Sequence, residues 1–250
     1  MSETLSTEAV ILTVADRGYL AWLEILLRSV KFFHPDKRVM VVGVNLSDTE
    51  INSIYDWNPL AEVRRVCIEC QGKRFAATVA NRRPYWMRDL MIATSSSVLL
   101  MDADLLVRGA MAFFKDITEN QIGIIFRSGL TGGRVRTYLR AAAGLLFVGR
   151  GCQAFLDDWI SIMETRDRVE NVKRNEWFWE QTCLYLASMK YPQQCAPIPS
   201  ELYLSGHPFQ NSAVIWSAHI KGPGKNSLLQ LFKKELGRIL AQPLAQPESL

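Results

Sequence analysis

Apolar residues recur along this chain with two spacings. Residues 9–15 (AVILTVA) form an unbroken apolar run of buried-strand length, closed by the turn signal Asp16-Arg17-Gly18. Over 19–33 the spacing becomes helical, with Leu20, Leu23, Leu27 and Val30 on one stripe and His34-Pro35 ending it. Residues 38–44 (RVMVVGV) read as a second strand and 63–67 as a third. Between them, 47–57 reads as a helix opened by a capping box, Ser47 with Glu50 three residues on. This order predicts a parallel sheet with helices on both faces. Beyond it the pattern predicts a helix that Pro84 starts and that ends at Thr94, then an apolar strand running into Asp102-Ala103-Asp104. Further strands are expected at 123–127, 142–148 and 214–217, and helices at 152–165 and 176–189. The last residues, QPLAQPESL, have the composition of a frayed tail. The expectation is one α/β domain over 1–225, followed by an amphipathic helix and tail over 226–250.

Composition narrows the class. A chain of 250 residues, 48% of them hydrophobic, can bury a substantial core. Its net charge of +4 suits an anionic small substrate and is too weak to argue for nucleic acid. No run of 18 apolar residues occurs, and MSETLSTEAV lacks a charged-then-apolar signal pattern, so a cytoplasmic protein is expected. The five cysteines, Cys67, Cys70, Cys152, Cys183 and Cys195, are an odd number, which fits reduced thiols. Cys67-Ile-Glu-Cys70 has metal spacing but no second pair. On the strand expected there its thiols would face opposite ways, so the pair reads as structural.

The chemistry concentrates in three places. In SVLLMDADLLV (97–107) an aliphatic strand ends in two carboxylates. In extended backbone, residues two apart share a side, so Asp102 and Asp104 converge while Ala103 turns away. Two acids against a buried strand call for a cation or strong donors, and Mg2+ or Mn2+ suits carboxylate oxygens. Asp16, past the first strand, borders the same crevice if the sheet is open and parallel. Third, HIKGPGK (219–225) follows an expected strand and combines His219 with glycines and lysines able to meet phosphate.

In that order these pieces resemble the GT-A glycosyltransferases, and within them glycosyltransferase family 8. TVADRGY (13–19) resembles the family's nucleoside-holding first strand, SVLLMDADLLV its Asp-x-Asp strand, and HIKGPGK its terminal His-x-x-Gly-x-x-Lys. AAAGLLFVG (141–149) and WFWEQTCL (177–184) stand where the family has its acceptor strand and its acidic-Gln helix start. The resemblance implies a GT-A (Rossmann-like), mainly parallel mixed sheet flanked by helices, and metal-dependent transfer of a hexose from a UDP-sugar with retention. It implies Mn2+ (or Mg2+) on Asp102, Asp104 and His219. The nucleotide-sugar would meet Thr13, Ala15, Asp16 and Tyr19 at the nucleoside, Asp102 and Ala103 beside the ion, and Gly222 and Lys225 at the phosphates. Arg83 or Arg88 would supply a basic residue that meets the diphosphate or Asp102. Gln181, with Glu180 in place of the usual Asp, would sit near the anomeric carbon. Ala142-Ala143-Gly144 departs from the family's Asn-Ser/Ala-Gly, removing an amide that would contact sugar or acceptor.

The acceptor could be a glycan, a lipid-linked sugar or a protein. The basic amphipathic stretch 227–240 offers peripheral contact with an inner membrane face, or a helix packed on its own domain. Two other readings compete: a haloacid-dehalogenase-like phosphatase, which also uses Asp-x-Asp after an apolar strand, and a GT-A protein that binds nucleotide-sugar without turnover. The first wants Thr or Val where Leu106 stands.

Overall fold

The computed structural model describes residues 9–70, 72–126, 141–165, 179–199, 203–205, 213–218 and 224–242. At its centre β1 (Val10–Asp16) lies between β2 (Val39–Val44) and β4 (Val98–Met101), parallel to both, and β3 (Ala61–Val66) extends the parallel run. Beyond β4 come β7 (Ala141–Val148), β6 (Ile122–Phe126) and β8 (Cys195–Pro197), giving the order β3-β2-β1-β4-β7-β6-β8. Strand β7 runs against its neighbours β4 and β6, so the sheet is mixed but mainly parallel. A second small sheet joins β5 (Leu105–Val107), β10 (Ile215–Ser217) and β9 (Tyr203–Ser205).

The apolar runs are explained by two-sided burial. On β1, Ile11 and Ala15 pack toward α1 (Leu20–Phe33) and α2 (Asp48–Trp57), through Leu23, Leu27 and Ile54. Val10 and Leu12 pack on the other face toward α3 (Lys73–Thr94), α4 (Gln153–Thr165) and α5 (Trp179–Ser188), through Met87, Trp159 and Leu184. A strand covered on both faces needs no polar alternation. The capping box closes as expected: Ser47 Oγ accepts from Glu50 N, and Glu50 Oε2 accepts from Ser47 N at 2.8 Å.

Three expectations are corrected. Helix α3 begins eleven residues before Pro84, at Lys73, and carries Pro84 inside it. Proline breaks one i→i−4 bond, that to the Ala80 carbonyl, but Trp86, Met87 and Leu90 anchor the helix in the core on the far side of the break. The Asp-Ala-Asp stretch is a turn between the two sheets, flanked by β4 and β5, and Ala103 is buried within it. Cys67 and Cys70 follow β3 instead of lying on it. There Asn45, at φ 54°, takes over the pairing, its side chain bonding Ile68 N and O at 2.9 and 3.0 Å. All five cysteines are free thiols.

Helix α6 (Lys225–Leu240) turns its apolar stripe inward. Leu228, Phe232, Leu236 and Ile239 are buried with Trp22 and Ile25 of α1 and with Leu106 and Trp216, and the Trp22 and Phe232 rings meet edge to face at 5.4 Å. Phe232→Ala is expected to destabilise the protein by about 3–5 kcal/mol through lost burial and a cavity, seen as a lower urea midpoint. An unchanged midpoint would mean that α6 does not close the core. No helix among the described residues is long and apolar enough to cross a membrane.

At the end of α1, His34 Nε2 accepts the Met111 N–H at 3.2 Å. Burial, with Lys37 adding to it, pushes this imidazole down to about 4. The unfolded chain protonates there from about pH 6.5, whereas the folded one resists until pH nears 4. This site's contribution to stability is therefore complete above pH 6.5 and is lost as pH falls toward 4. Comparing urea unfolding of the parent and His34→Gln at pH 7 and pH 5 tests this. The gap between the two proteins should shrink at the lower pH, and parallel losses would refute the assignment.

Candidate functional site

A cleft of about 130 Å³ opens at the carboxyl ends of β1 and β4, where a parallel sheet presents its ligand crevice. Asp16, Tyr19, Arg83, Asp102, Ala103, Asp104 and Gln181 line it. These residues reach it from β1 and the turn after it, from α3, from the turn after β4, and from the start of α5.

Asp16 is the last residue of β1 and caps the following turn, its Oδ1 accepting Gly18 N at 2.7 Å. Tyr19 closes that turn, and Lys225 places its Nζ 4.0 Å from the Tyr19 ring centroid. Such a cation–π contact holds the first residue of α6 against the mouth of the first strand. Thr13 and Ala15 point their side chains the other way. Both are buried and neither lines the cleft, and Thr13 Oγ1 has no hydrogen-bond partner.

The acids are held unequally. Asp102 N donates to Gly144 O at 2.8 Å, which continues the β4–β7 pairing one residue into the turn. The Asp102 carboxylate pairs with Arg83. Asp104, only 7% exposed, has its carboxyl pushed up to about 6, first by burial and then by the charge of Asp102, with Lys225 and Arg83 pulling it back. Its carbonyl accepts Ala218 N at 3.0 Å, so the chain leaving β10 passes directly beside the acid pair. Among the described residues no third His, Cys, Asp or Glu completes a metal-holding group. His219 and Gly222 lie outside the described residues, as do Trp177, Phe178 and the loop after Gly129.

Of the two candidate arginines, the fold brings only Arg83 to the acids. Its guanidinium bridges Asp102 and Glu180 with a side chain 11% exposed. Burial opposes its charge, but Glu180 and Asp102 outweigh burial and keep it firmly protonated. Arg88 instead pairs with Asp157 of α4 at 3.4 Å and does not line the cleft. Glu180 is 1% exposed and also does not line the cleft; burial lifts its carboxyl to about 7 against the pull of Arg83. Its carboxylate pairs with Arg83. Gln181, the next residue, does line the cleft.

Sequence reasoning missed the cleft's apolar wall, formed by Val14 and by Ala76, Val79 and Ala80 of α3. The signal available was the pair of small residues at i, i+4 in FAATVANRR, which leaves room for a flat ligand along one helix stripe. A helix starting at Pro84 would not include these residues.

Can these residues hold a divalent ion? Two carboxylates meet in one turn, one of them buried and costly as an anion, and both offer hard oxygens. That set suits Mg2+ or Mn2+.

No sequence-family model matches the chain, and no curated protein sequence matches it. Solved structures do. The galactosyltransferase LgtC, in complex with donor and acceptor sugar analogues, matches with a TM-score of 0.66 at 16% identity, over 93% of this chain and 97% of that one. An active-site variant of LgtC, glutamine replaced by glutamate, gives 0.62 at 15% identity over the same shares of the two chains. The apo form of the glycosyltransferase GlyE of Streptococcus pneumoniae TIGR4 gives 0.59 at 15% identity, over 96% of this chain and 65% of that one. With its central parallel strands, its antiparallel β7 and a cleft at the ends of β1 and β4, the chain has the GT-A glycosyltransferase fold.

Proposed function

We propose that this protein is a metal-dependent glycosyltransferase that moves a hexose from a UDP-sugar to a glycan, glycolipid or protein acceptor, with retention. The observation that carries this reading is the convergence of Asp16, Tyr19, Arg83, Asp102, Asp104 and Gln181 on one cleft of a GT-A fold.

Asp102 and Asp104, with His219, would hold the divalent ion. When bound, that ion supplies positive charge to a diphosphate that gains negative charge as it leaves. The chain's own residues do the rest. Asp16 and Tyr19 border the nucleoside end, and the small residues Ala76 and Ala80 leave space for it. Lys225, anchored on Tyr19, supplies a fixed positive charge whose field already reaches Asp104. Fixed charges at the leaving group need no reorganisation during reaction, which is why they accelerate it. For retention, the bond from the anomeric carbon to the phosphate oxygen breaks and the bond to the acceptor hydroxyl forms on the same face. The acceptor's proton passes to the leaving phosphate. Glu180 is clamped by Arg83 and buried, so it is poorly placed as a general base, and Asp157 is paired with Arg88 outside the cleft. Gln181 remains as the polar group able to support the developing positive charge on the sugar. LgtC likewise has a glutamine in its active site.

With the leucine stripe of α6 packed into the core, what that helix offers an anionic membrane is charge, on exposed Lys233, Lys234 and Arg238. We propose peripheral, salt-sensitive contact of that kind for an acceptor carried on lipid.

The test is donor cleavage. Purified protein with Mn2+ and UDP-glucose, UDP-galactose or UDP-N-acetylglucosamine should release UDP from one of them, and chelation should stop it. Phosphate release from simple monoesters would favour the phosphatase reading. Nucleotide-sugar binding without UDP release would favour the non-catalytic one.

A further inference from the structure

Among the described residues, Arg83 is the only basic side chain paired with the acid cluster through two different carboxylates, one on each side of it. One arm meets Asp102, at the end of β4, and another meets Glu180, at the start of α5. Two atoms of this triad remain unmatched: Arg83 Nε, a donor, and Glu180 Oε1, an acceptor, are both buried without partners. Arg83 also lines the cleft, while Glu180 does not. A guanidinium has five N–H donors, and Arg83 reaches the cleft with one of its donors unmatched.

We propose that Arg83 competes with the divalent ion for Asp102, and that Glu180 is the positioning residue that tethers Arg83. The inference rests on the metal-dependent reading above. Arg83 pairs with Asp102, so without a nucleotide to draw the arginine away the acid pair should bind a divalent ion weakly. A nucleoside diphosphate brings anionic oxygen acceptors that compete with Asp102 for the Arg83 guanidinium, which releases Asp102 to the ion. Ion and diphosphate then raise each other's affinity by the same factor, because binding linkage is reciprocal. The site is thereby kept from trapping metal without its substrate.

The experiment is calorimetric titration of Mn2+ into the donor-free protein, with and without UDP. The parent should bind Mn2+ at least tenfold more tightly when UDP is present. The double variant Arg83→Met/Glu180→Gln removes one positive and one negative charge, so the cluster's net charge is unchanged. It should bind Mn2+ alone about tenfold more tightly than the parent and lose most of the gain from UDP. Glu180→Gln alone leaves Arg83 with Asp102 as its sole anionic partner. That variant should bind Mn2+ alone more weakly than the parent, a shift in the opposite direction. Near-ultraviolet circular dichroism establishes that each protein is folded at the assay temperature. If the double variant does not fold, the single variant decides: unchanged or tighter Mn2+ binding overturns the proposal. Equal Mn2+ affinities in the parent and the double variant overturn it as well. No Mn2+ binding by any of these proteins, even with UDP, would overturn the metal-dependent reading itself.

Discussion

Replacing Asp104 by asparagine is expected to abolish metal-dependent donor cleavage while leaving the metal-free protein at least as stable as the parent. The two halves of this expectation share a cause. Asp104 is buried in the turn between the sheets, and its carboxylate is an uncomfortable anion there, raised by burial and by Asp102. Burying such a charge is justified in a folded protein only if something neutralises it. The amide has the same shape and carries no charge, so the fold loses a liability and the site loses an ion ligand. Removing one electrostatic contact to a reacting group typically lowers turnover by about a hundred- to a thousandfold, and loss of a ligand should reach the upper end. UDP release under saturating donor and Mn2+ measures the first half, and a thermal melt in chelator measures the second. A variant that cleaves donor normally would remove Asp104 from the chemistry. A variant that unfolds would make Asp104 a structural residue.

Arg83→Ala should lower stability sharply. It leaves Glu180, almost wholly buried, and Asp102, three-quarters buried, without the cation that bridges them. Breaking a buried ion pair from one side destabilises by about 3–5 kcal/mol, because each abandoned carboxylate must either stay charged in the interior or take up a proton there. In a chain of this size that corresponds to a melting temperature lower by roughly 10 °C. Adding Glu180→Leu should recover part of the loss, since the orphaned charge is then gone as well. The ordering of the three melting temperatures, parent, then double variant, then single, is the checkable result. A single variant as stable as the parent would mean that the two acids find water or other donors once the arginine is removed.

Much of the frame was legible because it depends on neighbours in sequence. The AVILTVA run forms a strand buried on both faces, and Ser47 with Glu50 closes its helix within three residues. Where a local rule failed, a distant contact had overruled it. Pro84 reads as a helix start, yet Trp86, Met87 and Leu90 fix the helix from the core and carry it through the proline. Asp102 and Asp104 read as strand residues, but β4 pairs with β1 and β7 while β5 pairs with β10, so the chain must turn between the two sheets. The stripe on 227–240 is consistent with a membrane surface and with a core. Only the position of Trp22 and Trp216 settles which surface it meets.

Arg83 and Arg88 show where sequence information ends. They are five residues apart, about 140° around a helix, so they cannot both face one cleft, and nothing local says which does. The amino-acid sequence by itself determined the chemical inventory: two acids after an apolar strand, a glutamine after a glutamate, lysines near the end, and the short-range turns and caps that present them. The tertiary structure alone decided which groups meet. Arg83 finds Asp102 across 19 residues and Glu180 across 97, through packing of α3 and α5 on one face of the sheet. Hydrogen bonds four residues apart are written into local sequence, whereas an ion pair between elements exists only once the core between them has closed.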